Sequence, residues 1–164
     1  SLAGVLSIAE RVNANVRSMG VALTACTVPH AGKPSFELGE DEIEIGIGIH
    51  GEPGRHRVPM ATADEITDQL VAPILEDMKP EAGSKVLLFV NGMGGTPEAE
   101  LYIVYNHARK VLEDAGLEVA RSLVGNYITS LEMQGCSITV LKLDDELTAL
   151  WDAPVLTPAL RRGL

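Results

Sequence analysis

Aromatic side chains are scarce in this chain, with one Trp, three Tyr and two Phe among 164 residues. Ring packing cannot dominate the interior, so the core must rest mainly on Val, Ile, Leu, Ala and Met within the 46% hydrophobic fraction. Cysteine is almost absent as well. Cys26 and Cys136 stand far apart in apolar, strand-like runs and read as reduced core thiols. Positive charge is short: 13 Lys and Arg against 23 Asp and Glu leave a formal charge of −10. That balance disfavours a general nucleic-acid surface or an anionic membrane, both of which attract basic patches. No uninterrupted apolar run approaches the ~20 residues a membrane helix requires. No cleavable signal is recognisable, and the expected setting is the cytoplasm. The length is ample for one core and modest for two, so a single domain is expected.

What is present is concentrated between Glu42 and Gly54, which reads EIEIGIGIHGEPG. Ile43, Ile45, Ile47 and Ile49 alternate with the period of a strand buried on one face. The opposite face then carries Glu42, Glu44, Gly46, Gly48 and His50, predicting one strand over about Glu42 to His50. Glycines beside a histidine leave room for a ligand or another backbone to come close. Gly51, Pro53 and Gly54 follow as turn residues. His50 is thus the leading candidate for chemistry, placed at a strand end beside open space. A hydrogen-bonded structural histidine is the competing reading of the local pattern.

GIGIHGEPG, preceded by SFELGEDEIEI and followed by ATADEI, resembles the histidine loop of dihydroxyacetone kinases. VNGMGG and SLEMQGCSITVL resemble two further segments of the same proteins, in the same order. The likeness runs from AERVNANVRSMGVALTACTVP to LDDELTALWDAP. It implies that residues 1–164 are the C-terminal domain of a dihydroxyacetone-binding kinase subunit, or of the equivalent module in single-chain enzymes. It further implies that His50 attacks the ketone carbon of dihydroxyacetone and holds it as a hemiaminal for phosphoryl transfer. Only a neutral imidazole nitrogen has the lone pair for that attack. Glu44 and Glu52 have two open roles: raising the histidine pKa, or orienting its other ring nitrogen. His56 lies close enough in sequence to approach the same site.

The resemblance implies no cofactor on this domain. The phosphoryl group is expected from ATP and magnesium on a fused domain, or from an ADP-carrying partner subunit recharged by a phosphotransferase relay. A homodimer is implied too, with the nucleotide-binding domain docking over the substrate site. The preceding domain of the family, whose histidine and aspartate assist transfer, has no matching segment here. The chain lacks an initiator Met and opens on an apparent helix, so it reads as an excised domain with weak or no turnover alone. The alternative is a regulatory module that binds dihydroxyacetone without being a kinase.

Strands and helices alternate along the chain, giving the class α/β or α+β: a mixed sheet covered by helices in a single compact domain. Helices are expected over Leu2–Val16, from the Thr62/Glu65 capping box to Met78, over Pro97–Ala115, and over Asp144–Trp151. Pro73 should bend or interrupt the second of these. Strand-like runs cover Val21–Val28, Val86–Asn91, Leu117–Val124 and Cys136–Leu143. The turn Gly92–Gly95 invites a phosphate-cradle reading. It lacks both the third glycine of a dinucleotide fingerprint and the Lys-Ser/Thr of a P-loop, so a tight structural turn is the better account. His50-Gly51-Glu52 has the H-x-E order of zinc deaminases without their P-C-x-x-C element, and no zinc site is expected. Asp144, Asp145 and Glu146 are explained by a helix start rather than by a cation.

Overall fold

The computed structural model describes residues 1–50 and 52–163. Gly51, read above as part of the turn after His50, lies outside the described residues. The elements run α1 (Leu2–Asn15), β1 (Val16–Ala22), β2 (Glu42–Ile45), β3 (His56–Pro59), α2 (Ala63–Met78), β4 (Lys85–Gly92), α3 (Glu98–Asp114), β5 (Glu118–Gly125), β6 (Gly135–Lys142), α4 (Asp145–Asp152), β7 (Val155–Leu156) and β8 (Arg161–Arg162). Six strands form one mixed sheet in the order β3-β2-β1-β6-β4-β5, and β7 and β8 pair separately. Only β4 and β5 are parallel within the large sheet, joined by α3 as a crossover. The expected mixed sheet with covering helices is therefore present.

Alternation along each strand divides the interior into layers. Met19 and Val21 of β1, Val86, Leu88 and Val90 of β4, and Ile138 and Val140 of β6 pack with α2 and α3. Leu87 and Leu141, on the opposite face, pack with Leu147 of α4 and with Ile8 and Val12 of α1. A third cluster, made by Ala22, Cys26, Ile47, Met93 and Met133, sits beyond the ends of β1 and β4. No aromatic ring is among the buried residues of any of the three. Burying each Leu or Ile contributes roughly 1.5–3 kcal/mol, so aliphatic volume suffices.

The helices begin where their caps direct. The Thr62 hydroxyl accepts from the Glu65 amide at 3.3 Å, while the Glu65 carboxylate accepts from the Thr62 amide at 2.9 Å. Thr62→Ala breaks this reciprocal pair, and urea denaturation should show a loss of about 1 kcal/mol with an unchanged m-value. At α4, the Asp144 carboxylate accepts from the Leu147 amide at 2.8 Å, as expected of an acidic helix start. α2 runs without interruption through Pro73, so of the bend or interruption expected there the interruption does not occur. Leu70, Val71 and Ile74 are each at most 2% exposed, and their packing offsets the hydrogen bond that proline removes.

Two strand boundaries also move. β1 starts at Val16 and ends at Ala22, because seven successive residues pair with β6 although Arg17, Ser18 and Gly20 look unlike a buried strand. The histidine strand stops at Ile45. Gly46 takes φ +84°, a left-handed conformation that glycine adopts without strain, and turns the chain out of the sheet. Ile43 and Ile45 then belong to the α2–α3 layer, whereas Ile47 enters the third cluster. The short strands β3, β7 and β8 carry no periodic signal long enough to reveal them in the sequence.

Candidate functional site

His50 lies in the connection between β2 and β3, two strands paired in antiparallel register from Glu42↔Pro59 to Ile45↔His56. The loop is closed at its base. The Arg55 amide donates to the Ile45 carbonyl at 2.7 Å, and the Gly46 amide donates to the Gly20 carbonyl at 2.7 Å. Glu44 completes that base. Its carboxylate accepts from the Gly54 amide at 2.6 Å and lies 3.5 Å from the Arg57 guanidinium. With 11% of its side chain exposed, Glu44 braces the loop from below, and among the described residues no hydrogen bond or ion pair ties it to the His50 ring.

Glu52 is the carboxylate beside His50. Its Oε2 accepts from the His50 amide at 2.9 Å, and its Oε1 lies 3.5 Å from His50 Nδ1. The Gly48 amide donates to the Glu52 carbonyl at 3.2 Å, which folds the loop back on itself. Backbone amides, first that of Glu52 itself and then that of His50, hold the Glu52 carboxyl below its ordinary pKa. It is therefore an anion at neutral pH. The His50 side chain is 79% exposed. Among the described residues its Nε2 makes no hydrogen bond or ion pair, while Nδ1 lies 3.5 Å from the carboxylate.

The space beside the glycines is largely taken by the loop. A Cβ on Gly48 would stand 2.2 Å from Glu52 Oε2, and one on Gly46 would stand 2.8 Å from the Arg55 side chain. The glycines thus admit the protein's own side chains. On the sheet side, a cavity of about 270 Å³ lies under Gly46–Ile49. Its polar lining is internally paired: Ser18 and Thr139 hydroxyls meet at 2.9 Å, and the Asn91 amide nitrogen donates to the Ile128 carbonyl at 2.7 Å.

The remaining histidines are elsewhere. His30 is exposed in its loop, and His56 is exposed on β3 opposite Ile45. His107 on α3 faces two carboxylates of α2, with Nε2 2.8 Å from Asp68 and Nδ1 3.5 Å from Asp64, and so links the two helices. Among the described residues no group of three or more His, Cys, Asp or Glu is arranged to hold a metal. No described helix is long and apolar enough to cross a membrane. Cys26 and Cys136 are both buried and free, and burial pushes the Cys136 thiol up to about 12.

The glycine turn after β4 spends its amides internally. The Gly94 amide donates to Asn126 Oδ1 at 3.1 Å, and the Gly95 amide donates to the Met133 carbonyl at 2.9 Å. Neither is left for a phosphate. Asn91, at the end of β4, accepts from the Tyr127 and Ile128 amides at 3.0 and 2.8 Å. It thereby anchors the segment 126–134, which reaches the histidine loop through Ser130. Ser130 was not legible as a site residue: a serine in SLEMQGC carries no local chemical signature, and only its neighbours in space give it a role.

The Dak1 domain family matches residues 1–159. The chain belongs to that family. The Dak1 domain is 46% identical over 157 residues to the PTS-dependent dihydroxyacetone kinase 2, dihydroxyacetone-binding subunit DhaK of Listeria innocua, covering 96% of this chain and 47% of that protein. It is 43% identical over 187 aligned residues to the PEP-dependent dihydroxyacetone kinase, dihydroxyacetone-binding subunit DhaK of Escherichia coli, covering 99% and 52%. Among solved structures, the dihydroxyacetone kinase operon co-activator Dha-DhaQ superposes with a TM-score of 0.87 at 33% identity, over 94% of this chain and 48% of that one. The Dak1 domain described here therefore spans about half the length of the curated relatives it matches.

Proposed function

We propose that this Dak1 domain is the substrate-capturing half of a dihydroxyacetone kinase, with His50 bonding the ketone covalently. The observation that carries the reading is the His50–Glu52 arrangement: Nδ1 lies 3.5 Å from an anion on a histidine whose side chain is 79% exposed. With the ring proton on Nδ1, the Nε2 lone pair attacks the carbonyl carbon. A C–N bond forms as the carbonyl π pair moves to oxygen. Positive charge develops on the ring, where the Glu52 carboxylate stabilises it. Loss of the Nδ1 proton and protonation of the former carbonyl oxygen leave a neutral hemiaminal. The names of the Listeria and E. coli relatives support dihydroxyacetone as the ketone.

Covalent capture suits a substrate with few atoms to recognise, and it rejects glycerol, which has no carbonyl. The phosphoryl group comes from outside this domain, either from a relayed partner subunit, in line with the PTS- and PEP-dependent names of two relatives, or from ATP and magnesium on a fused domain. The working enzyme is a cytoplasmic homodimer in which a preceding domain supplies acid–base groups, so residues 1–164 alone turn over weakly or not at all. A second reading, a dihydroxyacetone-binding regulator without kinase activity, draws on the likeness to the operon co-activator.

Carbon NMR of the full-length protein with dihydroxyacetone labelled at its carbonyl carbon tests the capture. A protein-bound tetrahedral-carbon signal is expected, and it should vanish in His50→Ala. A signal indifferent to that change, or none at all, returns His50 to a structural role. Phosphoryl transfer by the same full-length protein with its donor then separates kinase from regulator.

A further inference from the structure

We propose that Ser130 is a positioning residue for His50, an inference that rests on the covalent-capture reading above. The Ser130 hydroxyl donates to the Ile49 carbonyl at 2.9 Å, the peptide group that leads directly into His50. Among the described residues it is the one side-chain hydrogen bond that reaches the histidine loop from beyond the β2–β3 segment. Glu52 and Glu44 belong to that segment and order it internally. Ser130 adds a directional bond from the sheet side to its tip, beside the packing of Ile47 and Ile49 on the third cluster.

The strut behind Ser130 is rigid. Its amide donates to the Met93 carbonyl at 2.8 Å, which ties it to the chain leaving β4. The next residue, Leu131, holds φ +54° without being glycine. Its carbonyl occupies the space where a Gly94 side chain would begin, since a Cβ there would stand 1.9 Å away. A left-handed leucine costs about 1 kcal/mol or more and persists only where its surroundings over-determine it. Here they do so immediately beside the hydroxyl that grips the histidine loop. The three separate sequence segments GIGIHGEPG, VNGMGG and SLEMQGC thus form one mechanical unit, with Ser130 as the link to the first.

Ser130 is only 7% exposed, and removing its hydroxyl leaves the carbonyl of half-buried Ile49 without this donor. The His50 ring then samples orientations that do not present Nε2 to the ketone. Small misplacements of a reacting group are worth on the order of 10- to 100-fold.

The test is a titration of full-length protein with carbonyl-labelled dihydroxyacetone, reading the His50-dependent tetrahedral carbon alongside thermal unfolding. Ser130→Ala is expected to weaken capture by about 10-fold or more, in line with the loss of a positioned hydrogen bond. Because Cys26 Sγ lies 3.5 Å from the Ser130 hydroxyl, a second variant, Ser130→Cys in a Cys26→Ala background, keeps the side-chain shape, gives the larger sulfur room and weakens the donor. It should weaken capture relative to Cys26→Ala alone and remains informative should the alanine protein not fold. A serine that is merely structural lowers the unfolding midpoint and leaves the affinity of the folded protein unchanged; that result overturns the proposal. A parent protein showing no adduct overturns the capture reading and the Ser130 role together, whereas an adduct unaffected by either substitution overturns the Ser130 role alone.

Discussion

Gly94→Ala is expected to cost the domain roughly 2–5 kcal/mol, the range of strained backbone combined with overpacking. Two penalties coincide at this position. The backbone holds φ +120°, a conformation that L side chains rarely adopt, and the new Cβ would stand 1.9 Å from the Leu131 carbonyl oxygen. The obstacle is backbone, so no rotamer change relieves it. Leu131 is also fixed through its neighbour Ser130, whose amide is bound to Met93. The segment 126–134 must therefore shift as a body. Urea denaturation of the variant against the parent measures the loss. A change below about 1 kcal/mol, the scale of an ordinary surface substitution, would contradict the rigidity assigned to this turn.

Gly48→Ala should do the opposite, sparing the fold while disabling capture. Its Cβ would meet Glu52 at three atoms, 2.2 Å from Oε2 and 2.8 Å from both Cβ and Cδ. Retracting the carboxylate tip does not clear the Glu52 Cβ, so the glutamate must leave its place. With it go the bond to the His50 amide and the anion beside Nδ1. Gly48 is half-buried and Glu52 exposed, and both lie outside the main cluster, so the unfolding midpoint should move little. The dihydroxyacetone capture proposed for the full-length protein, read from the tetrahedral-carbon signal, should fall by on the order of 10- to 100-fold because His50 is no longer oriented. Wild-type capture by a folded Gly48→Ala protein would remove Glu52 from the mechanism.

Together the two glycines distinguish two kinds of close packing around one histidine. At Gly94, backbone meets backbone and the consequence is stability. At Gly48, backbone meets a polar side chain and the consequence is orientation. Glycine residues that read alike in the sequence therefore have different roles, and the identity of the approaching atom is what separates them. The same contrast holds for the acidic pair: Glu44 is buried at the base of the loop as a brace, whereas Glu52 is exposed at its tip beside the ring.

The sequence by itself determined what depends on neighbours along the chain. Thr62 and Glu65 marked the start of α2 through a capping box three residues wide. Asp144 marked the start of α4. The alternating isoleucines revealed a buried strand, and the three segments around His50, Gly94 and Ser130 were enough to expose the family. Tertiary structure decided the rest, because those features depend on residues far apart in the chain. Pro73 passes through an intact helix because Leu70, Val71 and Ile74 are packed from the sheet. The histidine strand ends at Ile45 because Gly46, at φ +84°, turns the chain out of the sheet after its amide has met the Gly20 carbonyl of β1. The division of labour between Glu44 and Glu52, and the reach of Ser130 across 81 positions to Ile49, have no signal in local sequence. A cap or a period is a short-range bond pattern written in adjacent residues, whereas the orientation of His50 is set by contacts that exist only once the sheet has brought β1, β4 and the segment 126–134 together.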